Sequence, residues 1–251
     1  MALYNLYFSP TGGTKKVMGL LAEALGGARQ GNLANPGEVS VVFGKDDVVL
    51  LGVPSYGGRV PALAVEKIRK LRTEGSRAVL VAVYGNRDYE DTLLELREAA
   101  EAAGFRPVAA ITAIAEHSVV RSIAAGRPDA DDRTVLTGMA EQIKQRLESG
   151  DVPGSLAVPG KTPYKEYRGI PLKPVVTDDC VGCGFCARNC PAEAIFNEYP
   201  SRTDAEKCIS CMRCVTLCPC GGRKLDDDML AGVAKVLTER CSERRECELF
   251  L

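Results

Sequence analysis

The chain has 251 residues, of which 45% are hydrophobic and 26% are charged, as in an ordinary soluble globular protein. Its formal net charge of −1 supplies no positive field for nucleic acid or an anionic membrane surface, so neither is expected as a partner. No stretch approaches the roughly 18 to 20 apolar residues of a membrane span, and residues 1–8 lack the basic flank and cleavage site of a signal peptide. We therefore expect a cytoplasmic protein.

The first 150 residues alternate short apolar runs with amphipathic stretches. Strands are predicted at Leu3–Phe8, Val48–Val53, Ala78–Tyr84 and Val108–Ile114, with a weaker fifth strand at Val39–Phe43. Helices are predicted at Thr14–Leu25, Ala62–Arg72, Tyr89–Ala103 and Asp132–Leu147. The strands are dense in Val, Leu and Ile, which is typical of parallel strands buried on both faces. This order predicts an α/β fold, a doubly wound five-stranded parallel sheet occupying residues 1–150.

The composition of the chain changes after residue 150. Residues 151–176 contain prolines 153, 159, 163, 171 and 174 and show no sustained period, which predicts an extended linker. The linker could wrap over one domain or swing free. Residues 177–225 form a cysteine-rich unit, and residues 226–251 form a C-terminal helix, Asp226–Arg240, with a tail. That helix could pack on either domain.

All eleven cysteines lie in this second half, none of them before Cys180. In a reducing compartment such density favours metal ligation over disulfides. Eight of them form two runs of C-x₂-C-x₂-C-x₃-C followed by proline: Cys180, Cys183, Cys186 and Cys190, then Cys208, Cys211, Cys214 and Cys218. This is the bacterial-type ferredoxin signature, so we expect a small α+β ferredoxin-like domain with two 4Fe–4S clusters. Zinc knuckles are the alternative, and two complete runs weigh against them.

Ligation in this motif is crossed, because the fourth cysteine of each run reaches the other cluster. The implied sets are Cys180, Cys183, Cys186 and Cys218 for one cluster, and Cys208, Cys211, Cys214 and Cys190 for the other. The remaining thiols, Cys220, Cys241 and Cys247, receive no role.

The segment Ser9–Thr14 follows the first strand and opens the first helix. Its small residues let backbone amides turn toward a phosphate, and Ser9, Thr11 and Thr14 add hydroxyls. A nucleotide-hydrolase P-loop needs a Lys after its last Gly, whereas Thr14 follows Gly13 directly. G-x-G-x-x-G is also absent, which disfavours a dinucleotide site. The alternative is an ordinary strand-to-helix turn with threonine caps.

Two later loops, Val53–Pro61 and Tyr84–Asp91, follow the third and fourth strands. In a doubly wound sheet, ligands bind beyond the carboxyl ends of the strands, where these loops meet the first. The Ser9–Thr14 loop resembles the phosphate loop of flavodoxins, which implies that the two later loops sandwich the isoalloxazine ring of FMN. The residues implied to bind FMN are Ser9, Thr11, Gly12, Gly13, Thr14, Pro54, Ser55, Tyr56, Gly57, Gly58, Gly85, Asn86 and Tyr89.

Either Tyr56 or Tyr89 is expected to stack on the flavin, since the chain has no Trp. His117, the single histidine, follows the last predicted strand. It is either a structural residue or a contact to flavin, substrate or linker.

Taken together, the motifs resemble a flavodoxin–ferredoxin fusion of anaerobic bacteria and archaea. The resemblance implies electron transfer between the 4Fe–4S clusters and FMN, linking one-electron and two-electron steps. One hypothesis is a carrier between redox partner proteins, with no catalytic residue. The other is an FMN-dependent reductase of a small molecule, with Arg59, Arg87 and His117 as candidate substrate contacts. A sensor or scaffold is a weaker third. The sequence specifies neither donor, acceptor nor oligomeric state.

A feature of the flavin site separates the first two hypotheses. An open flavin edge that faces water or the clusters favours the carrier. A closed pocket over the ring, lined by arginine or histidine, favours the reductase.

Overall fold

The fold is described by a computed structural model over residues 2–37, 40–150 and 154–251. Its main sheet has six strands, which in spatial order are Arg29–Asn32 (β2), Leu3–Tyr7 (β1), Val48–Pro54 (β4), Arg77–Tyr84 (β6), Arg106–Ile114 (β7) and Glu248–Phe250 (β10). The first five are parallel, whereas β10 pairs antiparallel with β7. Counting the parallel strands alone, the order is 2-1-3-4-5, the flavodoxin-like doubly wound order.

The segment predicted as the weak fifth strand contains a short strand, but that strand lies outside the main sheet. Val39 lies outside the described residues, and Val42–Phe43 (β3) pairs with Arg72–Thr73 (β5) instead of joining the main sheet. The fifth parallel strand is β2, with the sequence Arg-Gln-Gly-Asn. It is an edge strand and stays partly exposed, so it carries none of the apolar density that marks the central strands.

Four helices cover the two faces of this sheet: Gly13–Ala24 (α1), Ala62–Arg69 (α2), Thr92–Ala102 (α3) and Ala130–Ser149 (α4). Met18 and Ile143 bury the face under α1 and α4, and Ile68 and Leu96 bury the face under α2 and α3. Each such fully buried side chain contributes about 1.5 to 3 kcal/mol. The predicted α/β fold of the N-terminal unit is confirmed.

The cysteine-rich unit is small. Val175–Val176 (β8) pairs antiparallel with Arg223–Lys224 (β9), and two short helices, Phe185–Arg188 (α5) and Arg213–Leu217 (α6), follow the cysteine loops. A longer helix, Asp227–Arg240 (α7), comes after β9. In the described ranges, no helix has the length and apolar character needed to cross a membrane.

The connecting segment wraps over the N-terminal unit. Leu156 is buried in the core beside α3. The backbone N–H groups of Lys161 and Lys165 donate to the carboxylate of Asp91 at 2.9 and 2.6 Å, and Arg59 Nη1 donates to the carbonyl of Lys165 at 2.8 Å. The sequence left open whether the linker wraps over one domain or swings free, and in the structure it wraps over the N-terminal unit.

The C-terminal helix and tail contact both units. Leu230 and Val233 of α7 pack against Leu172 and Met212. Beyond α7 the chain returns to the main sheet as β10, a sixth strand that the sequence did not predict. The tail therefore completes the N-terminal sheet.

Candidate functional site

The loop after β1 is shaped to hold an anion. Gly12 adopts a left-handed conformation, φ 97°, directly before α1, and Ser9 Oγ accepts a hydrogen bond from the N–H of Lys15 at 3.0 Å. Among the described residues, none accepts from the backbone N–H groups of residues 11–14. These free amides stand at the positive end of the α1 dipole, so a phosphate fits there.

Two adjoining cavities open at the carboxyl edge of the sheet. The smaller, of about 70 Å³, lies at the phosphate loop, and the larger, of about 520 Å³, lies beyond it. They share the wall residues Ser55, Tyr56, His117 and Ser118. Of the residues predicted to bind FMN, the smaller cavity brings together Ser9, Thr11, Gly13, Thr14, Pro54, Ser55, Tyr56 and Gly85, and the larger adds Gly57.

The larger cavity is covered by parts of the chain that the sequence did not assign to the flavin site. Residues 165–172 of the connecting segment form one wall, and Val233, Leu237 and Arg240 of α7 form another. Tyr167 is the aromatic residue of this cover. Nothing local in the sequence marks it as a site residue, because its place depends on the fold of the linker over the N-terminal unit.

Four residues predicted to bind FMN, Gly12, Gly58, Asn86 and Tyr89, line neither cavity. Gly58 packs against Glu90. Asn86 Nδ2 donates to the carbonyls of Cys241 and Glu243 at 3.0 and 2.8 Å.

Tyr89 is also held by the tail. Its hydroxyl donates to Glu248 at 2.6 Å, and its ring packs edge-on against Tyr84 at 5.4 Å. Burial, followed by the hydrogen bond to Glu248, raises the pKa of Tyr89 above its ordinary range. Asn86 and Tyr89 thus serve the C-terminal tail.

Cys190, Cys208, Cys211 and Cys214 converge on one narrow pocket with an apolar wall that includes Ile195. Burial raises the pKa of Cys211 to about 12, and the neighbouring thiols of Cys214, Cys190 and Cys208 add to the rise. Burial likewise raises the pKa of Cys214 to about 11. Four sulfurs from two runs in one apolar pocket fit a cluster with crossed ligation, whose iron would make these thiolates stable.

The other set varies more in exposure. Cys183 is exposed and Cys186 is buried. Cys218 Sγ lies 3.7 Å from Cys220 Sγ, so Cys220 stands beside a predicted ligand. In the part of the chain that the structure describes, no three His, Cys, Asp or Glu side chains are placed to hold a single metal ion. A cubane makes a different demand, because each thiolate binds its own iron atom.

The second cysteine run lies against the larger cavity. Ser210, between Cys208 and Cys211, lines the larger cavity, and Ile209 packs against the core of the N-terminal unit. Tyr56 lines both cavities and lies near enough to Cys211 to interact with it electrostatically. Its pKa is raised well above the usual value, first by burial and then by Cys211 and Tyr167.

Three hydrogen bonds from two basic side chains hold the second run in place. Lys173 Nζ donates to the carbonyl of Cys208 at 2.5 Å and to Ser210 Oγ at 3.0 Å. Arg213 donates to Asn35 Oδ1 of the N-terminal unit at 2.6 Å. The cysteine pocket and the larger cavity are therefore neighbours in one packed arrangement.

Comparison with known families agrees with the cysteine geometry. Residues 174–219 match the model of the 4Fe-4S dicluster domain family. The chain joins a flavodoxin-like fold to a 4Fe–4S dicluster domain. The match supports electron transfer as the general role of the chain.

One curated relative is similar to a short part of the chain. It is a subunit of the ion-translocating oxidoreductase complex of Methanosarcina acetivorans, 42% identical over 53 residues, which are 21% of this chain and 20% of that protein. The chain thus matches about a fifth of that relative's length.

Solved structures resemble the N-terminal unit. A flavodoxin from the domain Archaea has a TM-score of 0.41 at 11% identity and covers 59% of this chain and 99% of its own. A Streptococcus pneumoniae TIGR4 flavodoxin has a TM-score of 0.42 at 15% identity, and the match covers 58% of this chain and 99% of that flavodoxin. The rubredoxin oxygen:oxidoreductase of Desulfovibrio gigas has a TM-score of 0.39 at 17% identity, and the match covers 59% of this chain and 36% of that protein.

Proposed function

We propose that this chain is a cytoplasmic electron-transfer flavoprotein that passes electrons between two 4Fe–4S clusters and one FMN. The observation that carries the proposal is the position of Ser210. This residue belongs to the second cysteine run, yet it lines the same cavity as Ser55, Tyr56 and Gly57 of the predicted flavin loop. A cluster held by Cys208 and Cys211 would lie beside a flavin in that cavity.

FMN is the flavin that the phosphate loop fits best. Thr11, Gly13 and Thr14, which offer free backbone amides and two hydroxyls, line one small cavity at the start of α1. No lysine stands at the P-loop position, so hydroxyls and amides carry the binding of a single phosphate. The larger cavity then accepts the ring, with Tyr56 and Tyr167 in its wall.

The bound groups supply the redox chemistry, since clusters carry one electron each and FMN carries one or two. The chain contributes position and shielding. Ile195 lines the cysteine pocket, and residues 165–172 cover the flavin cavity, so both groups would be kept from water. Because Cys183 is exposed, a cluster bound to it would lie near the surface, where it could exchange electrons with redox partner proteins.

A reductase of a small molecule is the second candidate, and the cover of the larger cavity favours it. Arg87, His117, Arg168 and Arg240 line this cavity beneath the connecting segment and α7. Arg59 lies outside it and is paired with Glu95 at 2.8 Å. To separate the candidates, prereduced protein is mixed with an oxidised ferredoxin or with a small quinone. Fast oxidation by the ferredoxin alone supports the carrier, and saturable turnover of the quinone supports the reductase.

Cofactor content tests the proposal first. Anaerobically purified protein should contain about eight iron and eight acid-labile sulfide per chain, and denaturation should release one FMN. Stoichiometric zinc without labile sulfide, or FAD in place of FMN, contradicts it.

A matched pair tests the phosphate loop. Thr11→Glu places a carboxylate next to the phosphate dianion and should abolish FMN binding, whereas Thr11→Gln, equal in size and uncharged, should retain much of it. FMN affinity is measured by quenching of flavin fluorescence. Equal affinity in the two variants would contradict the assignment of this loop to the phosphate of FMN.

A further inference from the structure

His117 lies where the two cavities meet, and its ring is fixed by the backbone that follows it. Its Nδ1 accepts hydrogen bonds from the N–H groups of Val119 and Val120 at 3.2 and 3.0 Å. Its own backbone N–H donates to the carbonyl of Ile123 at 3.1 Å. A nitrogen that accepts from two amides carries no proton, so the neutral ring has its proton on Nε2.

The ring lies against the end of β6. A Cβ built on Gly85 would lie 2.4 Å from His117 Cδ2, so the absence of a side chain at Gly85 makes room for the imidazole. Nε2 is bonded to Cδ2. Among the described residues, none forms a hydrogen bond with Nε2. His117, which lines both cavities, therefore has a fixed N–H donor without a protein acceptor.

The surroundings of His117 also favour the uncharged form of its imidazole. Burial lowers the pKa of His117 to about 4, and the positive charge of Arg87 contributes. The imidazole is neutral near pH 7, and its single N–H keeps one direction. Such a donor requires no proton uptake to bind an acceptor.

We infer that His117 binds the flavin, donating a hydrogen bond from Nε2 to an acceptor atom of FMN. This rests on the proposed function, in which FMN occupies the two cavities. A donor at that place favours the reduced flavin, which carries more negative charge on its acceptor atoms than the oxidised form. His117 thereby raises the reduction potential of the flavin in addition to adding affinity.

Two substitutions separate this role from a purely structural one. In His117→Asn, the side-chain oxygen replaces Nδ1 as acceptor for Val119 and Val120, but the Nε2 donor is lost. In His117→Gln, the amide NH₂ reaches the place of Nε2, but the Nδ1 acceptor is lost. We expect His117→Asn to bind FMN about tenfold more weakly and to shift the flavin potential to a more negative value, and His117→Gln to stay within about threefold of wild type.

Nuclear magnetic resonance detects the hydrogen bond from His117 Nε2 to FMN directly. Because the chain has one histidine, selective ¹⁵N labelling gives the imidazole of a single residue. The Nε2 resonance should move when FMN is added to flavin-free protein, while the Nδ1 resonance stays that of an unprotonated nitrogen. If both substitutions weaken binding alike, this spectrum decides whether the flavin contact exists.

The inference is overturned if the Nε2 resonance ignores FMN, or if His117→Asn binds FMN like wild type while His117→Gln does not. The second result would reduce His117 to a cap for residues 119 and 120. Both results leave FMN binding by the wild-type chain intact, and with it the proposed function. A wild-type chain that binds no flavin contradicts the proposed function and this inference together.

Discussion

Tyr167 of the connecting segment packs directly on Gly57 of the predicted flavin loop. A Cβ built on Gly57 would lie 2.4 Å from Cδ2 of Tyr167, and Gly57 has a φ of 61°, in the left-handed region. The contact depends on a residue without a side chain. It joins the linker to the flavin cavity, because both residues line it.

Replacement of Tyr167 should weaken FMN binding. Tyr167→Ala removes aromatic surface from the cavity wall, and a well-placed aromatic contact contributes about 0.5 to 1.5 kcal/mol beyond its buried area. FMN affinity should fall roughly tenfold or more, while Tyr167→Phe should remain close to wild type because the hydroxyl is not needed for stacking. Titration of flavin-free protein with FMN measures both. Unchanged affinity in Tyr167→Ala would show that the linker takes no part in the site.

Loss of Asn86 should release the C-terminal tail. Its buried amide donates to the carbonyls of Cys241 and Glu243 and accepts from the N–H of Arg245 at 3.0 Å. In Asn86→Ala these groups lose their partner, which costs about 1 to 3 kcal/mol. Buried Cys247 should then be alkylated faster than in wild type. The exposed substitution Lys235→Ala serves as the control, and equal alkylation rates in the two variants would contradict the anchoring role.

Crossed ligation is tested most cleanly at Cys190. Cys190→Ala should convert the cluster held by Cys208, Cys211 and Cys214 to a three-iron or unstable species and leave the other intact. Electron paramagnetic resonance distinguishes the species, with Cys247→Ala as the control that should retain both. Loss of only the first-run cluster would refute the crossed assignment.

The fourth cysteine of the second run needs a double variant. Cys220 Sγ lies 3.7 Å from Cys218 Sγ and is close enough to replace it as a ligand. Cys218→Ala should therefore be combined with Cys220→Ala, and the double variant should damage the cluster held by Cys180, Cys183 and Cys186.

His117 should make the fold sensitive to mild acid. Its native pKa of about 4 lies below the unfolded value of about 6.5, so the unfolded chain binds the proton first. The stability contribution is present above pH 6.5 and is lost as the pH falls toward 4, with about 2 kcal/mol lost between pH 7 and pH 5. The His117→Gln variant has no imidazole and therefore lacks this pH-dependent contribution to stability. Denaturant unfolding at the two pH values should show a smaller loss for His117→Gln, and equal losses would contradict the buried neutral state.

The sequence predicted the features that depend on local pattern. Central strands are marked by apolar density, and the cysteine spacing alone brings Cys190 into the set that converges around Cys211 in the structure. The polar edge strand β2 was missed because it is partly exposed. Asn86 and Tyr89 belong to a loop of the expected kind, but their partners lie more than 150 residues away in the tail. No local pattern reports such contacts.

The central claim is that the second cluster and the flavin exchange electrons within one chain. The direct measurement is the rate of flavin reduction after rapid mixing with reduced methyl viologen, in wild type and in Cys211→Ala/Cys214→Ala, with FMN content matched. Because the connecting segment covers the flavin cavity, direct reduction by the dye should be slow. We predict that flavin reduction slows by about tenfold or more in the double variant, as expected when the nearer carrier is lost. Equal rates in the two proteins would contradict the account.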